Sequence, residues 1–297
     1  MRVLVAGWFS FEEMGATAGD IMACNVACNW LEKAGADFDV AYAPPFTGGV
    51  KWEDTSAVDY SHVLFVCGPF GNGWPITGFL EHFAGCKLIG LNLSMLQNIH
   101  EWNPFDILFE RDSDQVVRPD ISMLSAAPKV PVAGLILAHL QKEYGKRSKH
   151  PVANQLFRQL IDKNELAVVP IDTVIAKNEH GLRTPAEIES LIAKMDIVLT
   201  TRLHGTVLAL KNGVPPIVID PVEGGAKISG QVKAIGWPLI LPVESVNYES
   251  LYNAYVYAQT NEARREAIAC RDRAVKILHE IEQQFLEALV GQPVINE

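Results

Sequence analysis

No apolar run in this 297-residue chain approaches the roughly 20 residues that a membrane helix needs. A secretory leader does not fit the start either. Arg2 and a short apolar stretch through Gly7 are followed by Glu12, Glu13 and Asp20, where an apolar core and cleavage site would have to lie. The segment reads as a first strand, and the chain as a cytoplasmic protein without a membrane span. Cysteines are few and odd in number, five, with no framework spacing. Cys24 and Cys28 lie one helical turn apart but lack the second ligand pair that zinc needs, so they read as small buried hydrophobes and no metal site is expected. Positive charge is also short: 25 Lys and Arg stand against 35 Asp and Glu, a formal charge of −10. That balance opposes nonspecific binding to nucleic acid or an anionic membrane. Any anion site must therefore be built locally, from a few cations and helix N-termini. The dinucleotide Gly-x-Gly-x-x-Gly order and the phosphate-loop Gly-Lys-Ser/Thr are both missing, as is any solenoid period.

What the chain does have is alternation of strand-like and helix-like periodicity over most of its length. Residues 2–8, 38–43, 62–67, 87–93 and 105–110 read as buried strands. Between them lie helices over 21–32, with Asp20 suited to the N-cap and Gly35 to the end, and over 74–83. Ala126-Ala127-Pro128-Lys129-Val130-Pro131 marks a change of domain. A second series follows, with strands at 133–138, 166–170, 196–200, 216–220 and 239–241. Its helices are at 151–162, 185–194, about 206–211 and 228–235. Thr184-Pro185 is a helix start with proline at the first position. From Asn261 the stripe Ala274, Leu278, Ile281, Phe285, Leu289 predicts a long terminal helix packed on a domain. The expected class is α/β, with two Rossmann-like domains over 1–127 and 128–260 facing a cleft, and a terminal helix over 261–297.

The informative stretch runs from Asp196 to Gly236. A strand ends at Thr201, Arg202-Leu203-His204-Gly205 sits at its carboxyl end, and a helix follows at once. That order sets Arg202 and His204 beside a helix N-terminus whose unpaired N–H groups favour an anion. Gly205 would let backbone approach a ligand. On these residues alone two readings stay open: an anion-handling site, or a histidine that caps the turn beside an arginine paired with a carboxylate.

Thr200-Thr201-Arg202-Leu203-His204-Gly205, followed by Ala209-Leu210 and Gly213-Val214-Pro215, resembles the signature of the polysaccharide pyruvyl transferase family. The resemblance continues in Lys227-Ile228, which opens a helix closed by Gly236. Looser likenesses are Gly7 and Gly19-Asp20, Val66-Cys67-Gly68-Pro69-Phe70-Gly71, and Arg111-Asp112-Ser113 with Pro119-Asp120. The first block departs from the family, with Phe9 to Ala18 in place of a Gly-Asn pair, and Pro69 interrupts a usual run of glycines.

The resemblance implies a two-domain fold of the GT-B type and transfer of a pyruvyl group from phosphoenolpyruvate to sugar hydroxyls as a ketal. No cofactor is implied; phosphoenolpyruvate is the donor substrate and a saccharide the acceptor. His204 would be the general acid/base, and Arg202 would act on the donor or hold the turn. Lys227 would bind the phosphate or carboxylate. Arg111 would bind the donor or form an internal ion pair, and Asp20 would orient an acceptor hydroxyl or cap its helix. Gly68, Gly71 and Gly73 would shape the cleft edge of the possible acceptor domain or form a plain turn. His100 and His180 lie in polar loops without partner spacing, and Tyr252, Tyr255 and Tyr257 alternate near a helix and read as packing residues rather than sugar contacts. Two other functions stay open: a glycosyltransferase using a nucleotide-sugar, with Glu223-Gly224-Gly225 as a faint nucleotide site, and an inactive saccharide-binding homologue. A homo-oligomer is compatible with all of these.

Overall fold

A computed structural model describes residues 1–139, 142–225 and 227–290. The chain divides into two compact units, Met1–Pro128 and Lys129–Glu297. The change of unit falls within the Ala126-to-Pro131 stretch, and the terminal helix belongs to the second unit rather than standing as a third segment.

The first unit is a five-stranded parallel sheet of β1 (Arg2–Ala6), β2 (Asp37–Val40), β3 (His62–Phe70), β4 (Lys87–Met95) and β5 (Ile107–Asp112), in the order β2-β1-β3-β4-β5. Its two helices are α1 (Ala18–Lys33) and α2 (Ile76–His82). Val3, Val5 and Val66 pack with Ala23, Cys24 and Ala27 of α1. Leu4 and Phe65 face the other way, into an aromatic cluster with Phe11, Phe70, Phe79 and Phe83. Alternate residues of β1 and β3 thus serve opposite faces, which is why these strands are apolar throughout. α1 starts one turn earlier than expected. Thr17 is the N-cap, and Asp20 is the third helical residue, accepting from the Thr17 N–H at 2.7 Å and the Thr17 hydroxyl at 2.8 Å.

The second unit repeats the winding. β6 (Val132–Ile136), β7 (Ala167–Pro170), β8 (Ile197–Thr200), β9 (Pro216–Asp220) and β10 (Ile240–Pro242) form a parallel sheet in the order β10-β9-β8-β6-β7. Counted from the unit's first strand this is again 2-1-3-4-5, the flavodoxin-like order. Around it stand α3 (His150–Asp162), α4 (Pro185–Ile192), α5 (Leu203–Lys211), α6 (Lys227–Ile235), α7 (Tyr248–Ala258) and α8 (Asn261–Leu289). Ile197 and Leu199 pack with Phe157 of α3 and Leu251 of α7, while Val198 packs with Ile188 of α4 and Ala209 of α5. Thr184 caps α4 in a reciprocal pair with Glu187, with Pro185 behind it, as the Thr-Pro start requires. α7 had no counterpart among the expected helices. It carries Tyr252, Tyr255 and Tyr257, of which Tyr255 is buried in the core.

The terminal helix corrects one expectation. Its early residues Ala263, Ala267 and Cys270 are fully buried with Leu210, Val232 and Trp237, but Leu278, Ile281, Phe285 and Leu289 are exposed. A 29-residue helix is about 44 Å long, whereas α5 and α6 beneath it have nine residues each, so its support ends early. Residues 291–297 of the expected terminal segment lie outside the described residues.

Phe157 is fully buried at the centre of the α3–α7 face. Phe157→Ala is expected to cost about 3–5 kcal/mol in the unfolding of the second unit, read as a lowered urea midpoint.

Candidate active site

In a sheet wound 2-1-3-4-5, the chain leaves the first and third strands in opposite directions, and a crevice opens between their carboxyl ends. In the second unit those strands are β6 and β8. The crevice is framed by two threonines. The Thr200 hydroxyl donates to the Ile136 carbonyl at 2.8 Å and accepts from the Arg202 N–H at 3.0 Å. The Thr201 hydroxyl accepts from the Ala138 N–H at 2.9 Å. These bonds tie the end of β8 to the end of β6 and fix the direction in which α5 leaves.

Gly205 has a different task from the one its sequence context suggests. A Cβ there would stand 2.3 Å from the Thr200 hydroxyl oxygen and 2.9 Å from the Ile136 side chain. The absent side chain lets α5 seat against the two strands, not backbone against a ligand. At the other end of α5, Gly213 takes φ +67°, which allows the tight turn into Val214 and β9.

Arg202, His204 and Lys227 line a single cavity of about 210 Å³, together with Tyr144, Thr201 and Asp220. Arg202 is the N-cap residue of α5, and one of its terminal nitrogens donates to Asp172 Oδ1 at 3.2 Å. Asp172 is almost fully buried after β7. Burial pushes its carboxyl up, but N–H groups of Val174 and Glu179 and the neighbouring His139 and Arg202 prevail and hold it below the usual range. It is therefore a fixed anion that orients Arg202. His204, in the first turn of α5, is exposed, and no hydrogen bond or ion pair engages its ring among the described residues.

Lys227 is the first residue of α6 and is exposed. Its position is set from below. Asp220, 1 % exposed at the end of β9, accepts from the Val222 N–H at 3.2 Å and from both the N–H and hydroxyl of Ser229. From the side, the Arg147 guanidinium donates to the carbonyls of Glu223 and Gly225, each at 2.9 Å. The loop between β9 and α6 is thus held at three points. Glu223-Gly224-Gly225, the faint nucleotide site of the sequence, is this strapped loop, and Lys149 pairs with Glu223 at 3.4 Å. Two cations, a histidine and the first turns of α5 and α6 surround the cavity, against one buried carboxylate.

The remaining sequence candidates all lie in the first unit and have other tasks. Arg111 is an internal ion pair: it donates to Asp112 at 2.8 Å and Asp120 at 2.7 Å, and also to the Ser94 hydroxyl. Burial raises the Asp120 carboxyl, but Ser122 and Arg111 hold it down at about 2. Asp20 is committed to Thr17 and is buried. Gly68, at φ +86°, has the Trp8 ring where a Cβ would be, 2.3 Å away, and the Trp8 indole N–H donates to the Pro69 carbonyl at 2.8 Å. The crevice of the first sheet, between β1 and β3, is thus occupied by the protein's own tryptophan. Gly71 lies against Leu96 and Gln97. Arg111 also lines a first-unit cavity of about 460 Å³, with Trp30, Phe109 and Arg118.

Tyr144, His139, Asp172 and Asp220 were not legible as site residues, since each owes its place to strand order rather than spacing. His150 was missed as well. It opens α3, is 2 % exposed, shares a 2.7 Å hydrogen bond between its Nδ1 and the Ser148 hydroxyl, and has no partner for Nε2 among the described residues. Burial pushes its pKa below 6.5, and the charges of Asp220 and Glu143 only partly oppose this.

Residues 119–221 match the family model of polysaccharide pyruvyl transferase, a transferase family. The match spans Arg202, His204 and Gly205 and stops short of Lys227. A search of curated proteins finds no match. Among solved structures, the chain is similar to Spinosyn Rhamnosyltransferase SpnG at 14 % identity, with 92 % of this chain and 95 % of that one covered and a TM-score of 0.34. It is also similar to UDP-GlcNAc 2-epimerase from Methanocaldococcus jannaschii (11 % identity, 94 % and 100 % covered, TM-score 0.33). A third is MurG of Acinetobacter baumannii (9 % identity, 91 % and 94 % covered, TM-score 0.34). No described helix is long and apolar enough to cross a membrane.

A buried neutral histidine gives a pH signature. With its folded pKa lowered, the unfolded chain takes up the proton first as pH falls below about 6.5, so stability declines in that window. Asp120 and Asp172, whose pKa values are lowered, act only at more acid pH. The wild type is expected to lose urea resistance between pH 7.5 and 5.5, and His150→Gln to flatten that slope. Equal slopes in the two proteins would refute the assignment.

Proposed function

We propose that the chain transfers a pyruvyl group from phosphoenolpyruvate to two hydroxyls of a saccharide, forming a cyclic ketal. The observation that carries this reading is that Arg202, His204 and Lys227 line one small cavity next to two helix N-termini. The family match over residues 119–221 supports it. So does size: the cavity falls below the roughly 300 Å³ at which drug-sized ligand sites begin, which suits a three-carbon phosphate better than a nucleotide-sugar.

The chemistry accounts for each residue type. Phosphoenolpyruvate is an enol ester whose terminal methylene is a poor base. His204, exposed and unengaged, delivers a proton to that carbon, and the adjacent carbon becomes open to attack by a sugar hydroxyl. The attacking hydroxyl returns its proton to His204, phosphate leaves with the C–O bond electrons, and the second hydroxyl closes the ring as the departing phosphate takes up its proton. Lys227 offsets the charge of the departing phosphate. Arg202, oriented by Asp172, faces the donor's carboxylate or phosphate with the nitrogens not bonded to Asp172. Asp220 is a positioning residue that acts through the β9–α6 loop.

Two variants separate the roles. His204→Gln is expected to lower turnover by about 10²–10⁴ with donor affinity retained. The measurements are phosphate release with galactose-, mannose- and N-acetylmannosamine-containing acceptors, and calorimetric donor titration. A His204→Gln protein that turns over at the wild-type rate refutes the acid role.

Lys227→Ala is instead expected to weaken phosphoenolpyruvate binding roughly tenfold to a hundredfold, the effect of one lost charged hydrogen bond. In a thermal-shift comparison, stabilisation by nucleotide-sugars but not by phosphoenolpyruvate would replace this reading with that of a glycosyltransferase.

A further inference from the structure

A second cavity, of about 260 Å³, opens at the carboxyl ends of β6 and β7. It adjoins the cavity of Arg202, His204 and Lys227. Ala138 lines both, and the 3.2 Å hydrogen bond from Arg202 to Asp172 joins a residue of one to a residue of the other. The donor chemistry makes no use of this second space. Leu137 is among its apolar walls, and its polar groups are His139, Asn154, Asp172, Glu179 and His180.

Two features mark it as more than a gap in packing. Asn154 of α3 has an amide oxygen that is buried without a hydrogen-bond partner among the described residues. A buried acceptor left without a donor costs stability, and a bound hydroxyl supplies the donor. The other polar groups are held in place before any ligand arrives. The Asn178 amide donates to the carbonyls of Asp172 and Val174, each at 2.8 Å. Its oxygen accepts from the N–H groups of His180 at 3.0 Å and Leu182 at 2.9 Å. The loop after β7 is thereby fixed on both sides of Glu179. The His139 ring stands 3.6 Å from Asp172 and 3.9 Å from Glu179, between two carboxylates. Groups ordered in advance lose little freedom on binding.

The two cavities differ in charge, and the difference selects their occupants. Arg202, Lys227 and two helix N-termini suit an anion in the first. The lining of the second carries two carboxylates and no lysine or arginine, which disfavours a phosphate, a nucleotide or a uronic acid. Apolar walls with a few convergent hydrogen-bonding groups match an uncharged sugar ring, which has C–H faces and hydroxyl edges. In the first unit the equivalent crevice, between β1 and β3, is filled by Trp8.

We propose that the cavity beside Asp172 is the subsite for an uncharged sugar ring of the acceptor, whose hydroxyls bond to His139, Asn154 and Glu179. The assignment rests on the transferase reading above, which requires an acceptor. It sets the sugar beside the donor, on the other side of the Arg202–Asp172 pair.

Saturation-transfer NMR on the full chain with methyl glycosides of galactose, mannose and N-acetylmannosamine reads sugar binding without turnover. Calorimetry reads phosphoenolpyruvate binding separately. The wild type is expected to bind at least one of these sugars. Glu179→Ala and His139→Ala are each expected to weaken that binding roughly tenfold, the effect of one lost hydrogen bond, with donor affinity retained. Leu137→Trp fills the cavity and is expected to abolish sugar binding, with circular dichroism and donor binding kept. A wild type that binds none of the sugars overturns the proposal. Sugar binding that survives in all three variants lies elsewhere and also overturns it. Alanine variants that lose donor and sugar affinity together act through Asp172 and Arg202, which overturns the subsite. Sugar binding lost as expected in a chain that never binds phosphoenolpyruvate leaves the subsite standing and removes the donor reading instead.

Discussion

The two threonine hydroxyls at the end of β8 hold the arrangement on which the candidate site rests. Thr200 bonds across to Ile136 and back to the Arg202 N–H, and Thr201 accepts from Ala138. Together they join two strands whose chains leave the sheet in opposite directions. Gly205 completes the joint by letting α5 seat within van der Waals distance of both strands. From that joint follow the N-cap position of Arg202, the first-turn position of His204 and the direction of the α5 N-terminus. The pairs Arg202–Asp172 and Asp220–Ser229, each built on a buried carboxylate, then fix what the joint points. Polar groups this deeply buried have to be satisfied, so each also rigidifies the loop it closes.

Two sheets wound in the same order have come to different ends. In the second unit, the crevice between the first and third strands opens onto a cavity with two cations and a histidine. In the first unit, Trp8 lies over Gly68 and bonds to the Pro69 carbonyl, filling the equivalent crevice with side chain. Arg111, the first unit's best cationic candidate, is neutralised by Asp112 and Asp120. An arginine with two carboxylates at hydrogen-bonding distance has little field left for an external anion, and Asp120 is held low by the Ser122 N–H first and by Arg111 after it. Arg202 and Lys227 of the second unit, by contrast, share one cavity.

The terminal helix shows the same economy of support. Alanines and Cys270 allow its early turns to lie close against α5 and α6, and the larger Leu278, Ile281 and Phe285 come only where no helix of the unit lies beneath.

The sequence by itself determined the elements. Apolar-run signals located all ten strands, most plainly β1, β8 and β9, where burial on both faces leaves few polar positions. Helix signals located all but α7, and the Thr184-Pro185 and Gly35 boundaries are readable because capping and positive φ are local demands. The turn from Thr200 to Gly205 was readable as a candidate site for the same reason: strand end, polar residues and helix start are consecutive. Tertiary structure decided everything that depends on which strand lies beside which. It set Asp172 next to Arg202, 30 residues away, and Asp220 beneath Lys227. It turned Gly205 towards Ile136 rather than a ligand, put Trp8 over Gly68, and gave Arg111 its two carboxylates. The contacts Asp172–Arg202, Gly205–Ile136 and Trp8–Gly68 arise from the 2-1-3-4-5 order, which brings residues far apart in the chain to one sheet edge. No local periodicity encodes that order, because it is fixed only when the strands pair.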